Sequence, residues 1–95
     1  MATTLASLVD RMRPILTRYG VLRAGVFGSY AHEDATSHSD LDLLVELPAG
    51  SSLLDLVGLQ FDLSEELGVE VDANTYRAVH PMIRDQILRD EIRVL

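Results

Sequence analysis

Apolar residues recur along this chain with the period of helices in some stretches and the period of strands in others. From residue 4 to residue 19 an apolar side chain recurs every three or four positions, which predicts a first helix. Thr3 or Thr4 can cap this helix, and Gly20 can end it. Pro14 lies inside the pattern and predicts a bend or a division into two pieces, because proline lacks an amide donor and clashes with the preceding turn.

Three later stretches have the pattern of strands. Residues 21–27 and 40–47 each contain an apolar run, and residues 69–73 alternate with a period of two. Between the first two, residues 29–39 predict a short helical turn followed by a polar loop. Because a connection of about ten residues is too short for a helical crossover, these two strands should be antiparallel. Gly25 lets another group approach the first strand closely.

Two more helices complete the predicted architecture. Ser51 or Ser52 can cap a second long helix that Gly68 ends, and Pro81 suits the first position of a last helix. The predicted apolar face of the second helix consists of Leu53, Leu56, Val57, Phe61, Leu63 and Leu67. Residues 92–95 predict a short edge strand or a tail. This order predicts an α+β fold, with helices flanking a mixed sheet of three or four strands.

Composition limits the classes of function. The 95 residues, 47% of them hydrophobic, suffice for a single domain over residues 1–95, whose modest core can depend on a partner. A net charge of −7 argues against direct binding of nucleic acid and fits a site that gathers divalent cations. The absence of cysteine excludes disulfides and thiolate chemistry. With no signal-peptide pattern and no apolar run of ~20 residues, the sequence predicts a cytoplasmic protein without membrane contact.

Five residues form a candidate site. Side chains two apart on a strand share a face, so Asp40 and Asp42 should point the same way, and Asp72 should join them if its strand pairs alongside. Crowded carboxylates raise one another's pKa until a cation neutralises them, and their hard oxygen atoms suit one or two Mg²⁺ ions. Gly28 and Ser29 precede the helical turn, where backbone amides suit a triphosphate. Each feature alone is common, so the prediction depends on their combination.

The combination resembles the minimal nucleotidyltransferases, the single-domain branch of the DNA polymerase β-like superfamily. The residues that carry the resemblance are Gly28-Ser29-Tyr30-Ala31, Ser39-Asp40-Leu41-Asp42-Leu43-Leu44-Val45 and Val69-Glu70-Val71-Asp72, and the similarity runs through nearly the whole chain. It implies the nucleotidyltransferase fold. It also implies that Asp40 and Asp42 hold both metal ions, while Asp72 holds the catalytic ion and helps take the acceptor's proton. Gly28 and Ser29 would then bind the nucleotide, which the family indicates is ATP.

The same resemblance implies a protein partner. Members of this family commonly serve as antitoxins beside an all-helical RNase toxin of the HEPN type, and they transfer AMP from ATP to a tyrosine hydroxyl of that toxin. The implied function is therefore Mg²⁺-dependent AMPylation within a hetero-oligomer that neutralises the toxin. Nucleotidyl transfer to a small molecule is a weaker alternative, because enzymes of that kind usually carry an additional helical domain.

One departure from the family pattern leaves another alternative open. Where the family usually has Arg-Gly after Gly-Ser-x-Ala, this chain has His32 and Glu33, which removes a cation near the phosphates and adds an anion. The change favours a non-catalytic antitoxin that blocks the toxin by contact alone. Tyr30 and Tyr76 are predicted to serve packing rather than self-modification.

Overall fold

The computed structural model describes residues 4–27 and 40–95. Within these residues the chain forms three helices and four strands, with a 3-10 turn (Tyr76–Ala78) ahead of the last helix. Their order is α1 (Leu5–Arg18), β1 (Arg23–Phe27), β2 (Leu41–Glu46), α2 (Leu53–Leu67), β3 (Val71–Thr75), α3 (Pro81–Asp90) and β4 (Ile92–Arg93). The predicted α+β class is confirmed, and β3 lies two residues further along the chain than its predicted bounds.

The strands form one mixed sheet in the order β3-β2-β1-β4. β1 is antiparallel to both β2 and β4, and β2 is parallel to β3. The antiparallel first pair, the position of β3 beside β2 and the edge strand at the C-terminal end are therefore all confirmed. Helix α2 makes the long connection that a parallel pair requires.

Helix α1 is one uninterrupted helix, as the predicted helix over residues 4–19 requires. Of the two alternatives for Pro14, the division is wrong and the bend stays a prediction. Thr4 caps it, accepting a hydrogen bond from the Ser7 amide at 3.2 Å. Pro14 and Asp10, whose carbonyl loses its helical donor to the proline, are both exposed. Water can satisfy that carbonyl, which is why the helix continues.

Helix α2 begins at a capping box, in which Ser52 and Asp55 each accept a hydrogen bond from the other's amide. Its predicted apolar face is wrong in part. The buried residues are Leu59, Leu63 and Leu67, with Leu56 half-buried. Leu53, Val57 and Phe61 are instead 74%, 53% and 63% exposed. Because α2 is apolar on two sides, its periodicity does not identify which side faces the core.

The core lies between α1, α2 and one face of the sheet. It consists of Leu8, Met12, Ile15, Leu16, Val21, Ala24, Val26, Leu41, Leu43, Val45, Leu59, Leu63, Leu67, Val71, Ala73 and Val94. Alternate residues of β2 and β3, among them Asp42 and Asp72, point to the other face. In the part of the chain that the structure describes, no helix is long and apolar enough to cross a membrane.

A polar cluster ties the C-terminal segment to β1. Arg23 donates a hydrogen bond to the Glu91 carboxylate at 2.7 Å, and the Tyr76 hydroxyl donates to the same carboxylate. The Arg23 guanidinium also stacks over the Tyr76 ring, 4.6 Å from its centroid. The Glu91 side chain is only 7% exposed, so its charge is held by these partners rather than by water. The packing role predicted for Tyr76 is confirmed.

Candidate active site

Two aspartates stand side by side on the face of the sheet opposite the core. Asp42 on β2 is the direct register partner of Asp72 on β3. Both are exposed, while the residues that flank them in each strand are buried in the core. The parallel pairing of β2 with β3 therefore brings together two carboxylates that are thirty positions apart in the sequence. The sequence-based prediction that these two residues would meet is confirmed.

Asp40 belongs to the same electrostatic cluster. It is exposed and lies one residue before β2, where the Leu41 amide donates to the Glu70 carbonyl at 2.8 Å. Partial burial raises the pKa of Asp42, and the charges of Asp72 and then Asp40 raise it further. The negative charges of Asp72 and Asp40 thus act on the Asp42 carboxylate.

The donor chemistry of this cluster fits Mg²⁺. Carboxylate oxygens are the ligands that this cation prefers, and a bound cation would relieve the repulsion that raises the pKa of Asp42. Within residues 4–27 and 40–95, however, no three acidic or histidine side chains are already drawn together as a complete metal cage. The metal-binding roles of Asp40, Asp42 and Asp72 accordingly stay predictions.

The predicted phosphate-binding residues fall outside the described part of the chain. Gly28 and Ser29 lie there, as do the predicted helical turn and loop, His32, Glu33 and Tyr30. The last described residue before them is Phe27, which pairs directly with Asp42 across β1 and β2. The chain therefore enters the Gly28-Ser29 segment from the strand position beside Asp42.

Asn74 is a residue of the site that the sequence analysis missed. Its side-chain amide donates a hydrogen bond to the Asp72 carboxylate at 3.3 Å. The signal was present in the sequence, because residues 72 and 74 share a strand face. The contact orients one oxygen of Asp72 and leaves the other available.

A cavity among the described residues lies away from the three aspartates. It is a cleft of about 830 Å³ at the carboxyl ends of β2 and β3, lined by residues 45–53, 56 and 74–78. None of the three aspartates lines it. Since the candidate chemistry depends on carboxylates, we place the site on the sheet face opposite the core and not in this cleft.

The fold and these carboxylates correspond to a known family. The family model for the nucleotidyltransferase domain matches residues 9–94, so the chain belongs to that family and is a nucleotidyltransferase enzyme. One relative, from Methanocaldococcus jannaschii, is 51% identical over 86% of this chain and 88% of its own length. This relative, MJ0435, is described provisionally as a protein adenylyltransferase. The protein adenylyltransferase MntA of Thermococcus cleftensis is 33% identical over 92% of this chain and 88% of its own length.

Solved structures agree on the fold. One described provisionally as a minimal nucleotidyltransferase superposes with a TM-score of 0.83 at 40% identity, covering 95% of each chain. A Shewanella oneidensis MNT antitoxin, in complex with a tri-AMPylated HEPN toxin, gives 0.71 at 17% identity over 93% of this chain and 69% of its own. A toxin-antitoxin structure with AMP-PNP superposes with a TM-score of 0.80 at 18% identity, covering 92% of this chain and 72% of its own. At those identities the last two likenesses concern the fold alone.

Proposed function

We propose that this chain is an antitoxin that transfers AMP from ATP to a tyrosine hydroxyl of a HEPN-type RNase toxin and thereby neutralises it. The observation that carries the proposal is the register pairing of Asp42 with Asp72 beside Asp40. A cluster of carboxylates on and beside neighbouring strands is suited to the metal-assisted displacement at phosphorus that nucleotidyltransferases perform. The names of the relatives support adenylyl transfer to a protein rather than to a small molecule.

Each site residue has a proposed role. Asp40 and Asp42 would hold both magnesium ions, Asp72 would share the catalytic one, and Gly28 with Ser29 would donate hydrogen bonds to the triphosphate. Bound magnesium would supply charge neutralisation for the acceptor oxygen and the leaving group. The tyrosine oxygen forms a bond to the α-phosphorus while the bond to the β-phosphate oxygen breaks. Pyrophosphate leaves, and the phenolic proton passes to Asp72.

A protein acceptor is also consistent with the surface of α2. Leu53, Leu54, Val57 and Phe61, which we call the α2 outer stripe, are between 53% and 80% exposed. Four large apolar side chains on one exposed helix face are typical of surfaces that bind another protein. The complexes of related fold contain a HEPN toxin, which is the partner we propose.

The experiment that tests this function follows labelled AMP. The chain is mixed with the toxin encoded beside it, Mg²⁺ and ATP labelled at the α-phosphate. We expect label on the toxin with wild type and none with Asp40→Asn or Asp42→Asn. If the toxin is inhibited without label, and equally well by these variants, the chain is a non-catalytic antitoxin that acts by contact.

A further inference from the structure

Strand β3, which carries Asp72, is an edge strand of the sheet that residues 4–27 and 40–95 form, and β2 is its neighbouring strand there. An edge strand presents unpaired backbone groups on its outer side and is free to shift unless something covers that edge. Here two side chains of α2 cover it. The Ala73 amide donates to the Gln60 side-chain oxygen at 2.8 Å, and the Val71 amide donates to the Ser64 hydroxyl at 3.0 Å.

The spacing of the two acceptors along α2 matches the spacing of the two amide donors along β3. Gln60 and Ser64 are four residues apart on α2, a rise of about 6 Å along the helix axis. Val71 and Ala73 are two residues apart on β3, a rise of about 6.6 Å along the strand. Because these two distances are nearly equal, both amides can donate their hydrogen bonds at once, with α2 running antiparallel to β3.

The acceptor at Ser64 is fixed in orientation. Its hydroxyl donates to the Gln60 carbonyl at 2.9 Å, one turn earlier in α2. That bond occupies the hydroxyl proton and directs a lone pair outward to the Val71 amide. Both side chains are half-buried, so water competes weakly for these contacts.

The two bonds bracket Asp72, since they hold the residues immediately before and after it. We infer that Gln60 and Ser64 are positioning residues that keep β3 in place, so that Asp72 stands beside Asp42 for the transfer reaction. The catalytic part of this inference rests on the proposed function, whereas the restraint of β3 does not. A shift of about 1 Å in a reacting group is enough to cost a large factor in rate.

The test compares Gln60→Leu, which removes the acceptor at similar size, with Gln60→Glu, which keeps an acceptor oxygen. Amide hydrogen exchange should become at least about tenfold faster at Ala73 in Gln60→Leu and stay unchanged at Val26 in the sheet centre. In the transfer assay, kcat should fall by about tenfold or more, with KM for ATP within about twofold. Gln60→Glu should restore both readouts.

Gln86→Leu is the matched control, because it is the same substitution at an exposed glutamine of a different helix, α3. It should change neither exchange nor kcat. Unchanged exchange at Ala73 in Gln60→Leu, or faster exchange with full transfer activity, would overturn the positioning role.

A Mg²⁺ titration without ATP or toxin separates this inference from the proposed function. Gln60→Leu should weaken Mg²⁺ binding by about tenfold, as is usual when a group that orients a metal ligand is lost. If wild type labels no toxin but Gln60→Leu still weakens Mg²⁺ binding and speeds exchange, the proposed function fails and the positioning role stands. Mg²⁺ binding that is the same in both proteins would overturn that role.

Discussion

The Glu91 side chain lies directly against the backbone of Gly25, in space that any other residue at position 25 would fill. Glu91 lies between α3 and the edge strand β4, whereas Gly25 lies in the central strand β1, far away in the sequence. Glycine at position 25 is what allows the Glu91 carboxylate to reach both Arg23 and Tyr76. The close approach predicted from Gly25 is therefore present, and the group that approaches is Glu91.

Substitution of Gly25 by alanine should destabilise the fold. The added methyl group overlaps Glu91 and displaces it from Arg23, so the free energy of unfolding should fall by about 1–3 kcal/mol in urea denaturation. In a Glu91→Ala background the overlap is absent, and the same substitution should cost much less. Equal costs in the two backgrounds would show that Glu91 does not occupy that space.

The alkaline limb of stability should depend on Tyr76. Burial, followed by the hydrogen bond to Glu91, raises the pKa of Tyr76 well above the value of a free phenol. The unfolded chain ionises near pH 10 while the folded chain stays protonated, so stability is full below about pH 10 and declines above it. Tyr76→Phe should make the decline shallower in urea unfolding between about pH 8 and pH 11.

Part of the alkaline decline should survive in that variant. The hydrogen bond to Asp62 raises the pKa of Tyr19 as well, so Tyr19 contributes in the same direction. Tyr19→Phe is thus the matched comparison. The variant that combines Tyr19→Phe with Tyr76→Phe should show the shallowest decline of stability with rising pH. A decline of undiminished slope in the double variant would contradict the account.

The repulsion among the site carboxylates should appear as a stability penalty without metal. Because burial, Asp72 and Asp40 raise the pKa of Asp42, the folded protein loses stability as pH rises through that raised pKa. Metal-free Asp42→Asn should therefore melt at a higher temperature than wild type at pH 7. The difference should vanish below about pH 3, where Asp42 is mostly protonated in both the folded and the unfolded state. A lower melting temperature for Asp42→Asn than for wild type at pH 7 would contradict repulsion among the site carboxylates.

The α2 outer stripe should matter for partner binding and little for the fold. Phe61→Ser removes an exposed ring, so the melting temperature should change slightly while affinity for the toxin falls by about tenfold or more. Leu22→Ser is the matched control, because Leu22 is 61% exposed against 63% for Phe61 and lies outside the stripe. Equal losses of affinity in the two variants would exclude the stripe as the contact surface.

The sequence predicts the local and the antiparallel parts of this fold well. Caps at Thr4 and Ser52, the first position at Pro81 and the antiparallel pairing of β1 with β2 all follow from nearest neighbours and loop length. At Pro14 the sequence leaves a bend and a division open, and α1 is undivided because a solvent-facing position lowers the cost of the missing donor.

What the sequence does not predict is the rotation of helices relative to the sheet. Phe61 belongs to the predicted apolar face of α2, yet it is exposed, and Leu59 is buried in its place. That rotation is determined by contacts with β3, such as that of Gln60 with the Ala73 amide, which no local pattern reveals. The aspartates of the candidate site are predictable because strand periodicity places Asp42 and Asp72 opposite the apolar residues of their own strands, and the pairing of β2 with β3 brings them together.

The proposed transfer of AMP depends most on the pairing of Asp42 with Asp72. The most direct test compares the transfer rates of Asp72→Asn and Glu70→Gln. Each variant removes one negative charge close to the start of β3, but only Asp72 faces Asp42 in register. With labelled ATP, Mg²⁺ and the toxin, we expect Asp72→Asn to reduce the rate of AMP transfer by at least about a hundredfold. Glu70→Gln should stay within about twofold of wild type. Equal rates in the two variants would contradict the assignment of Asp72 to the reaction.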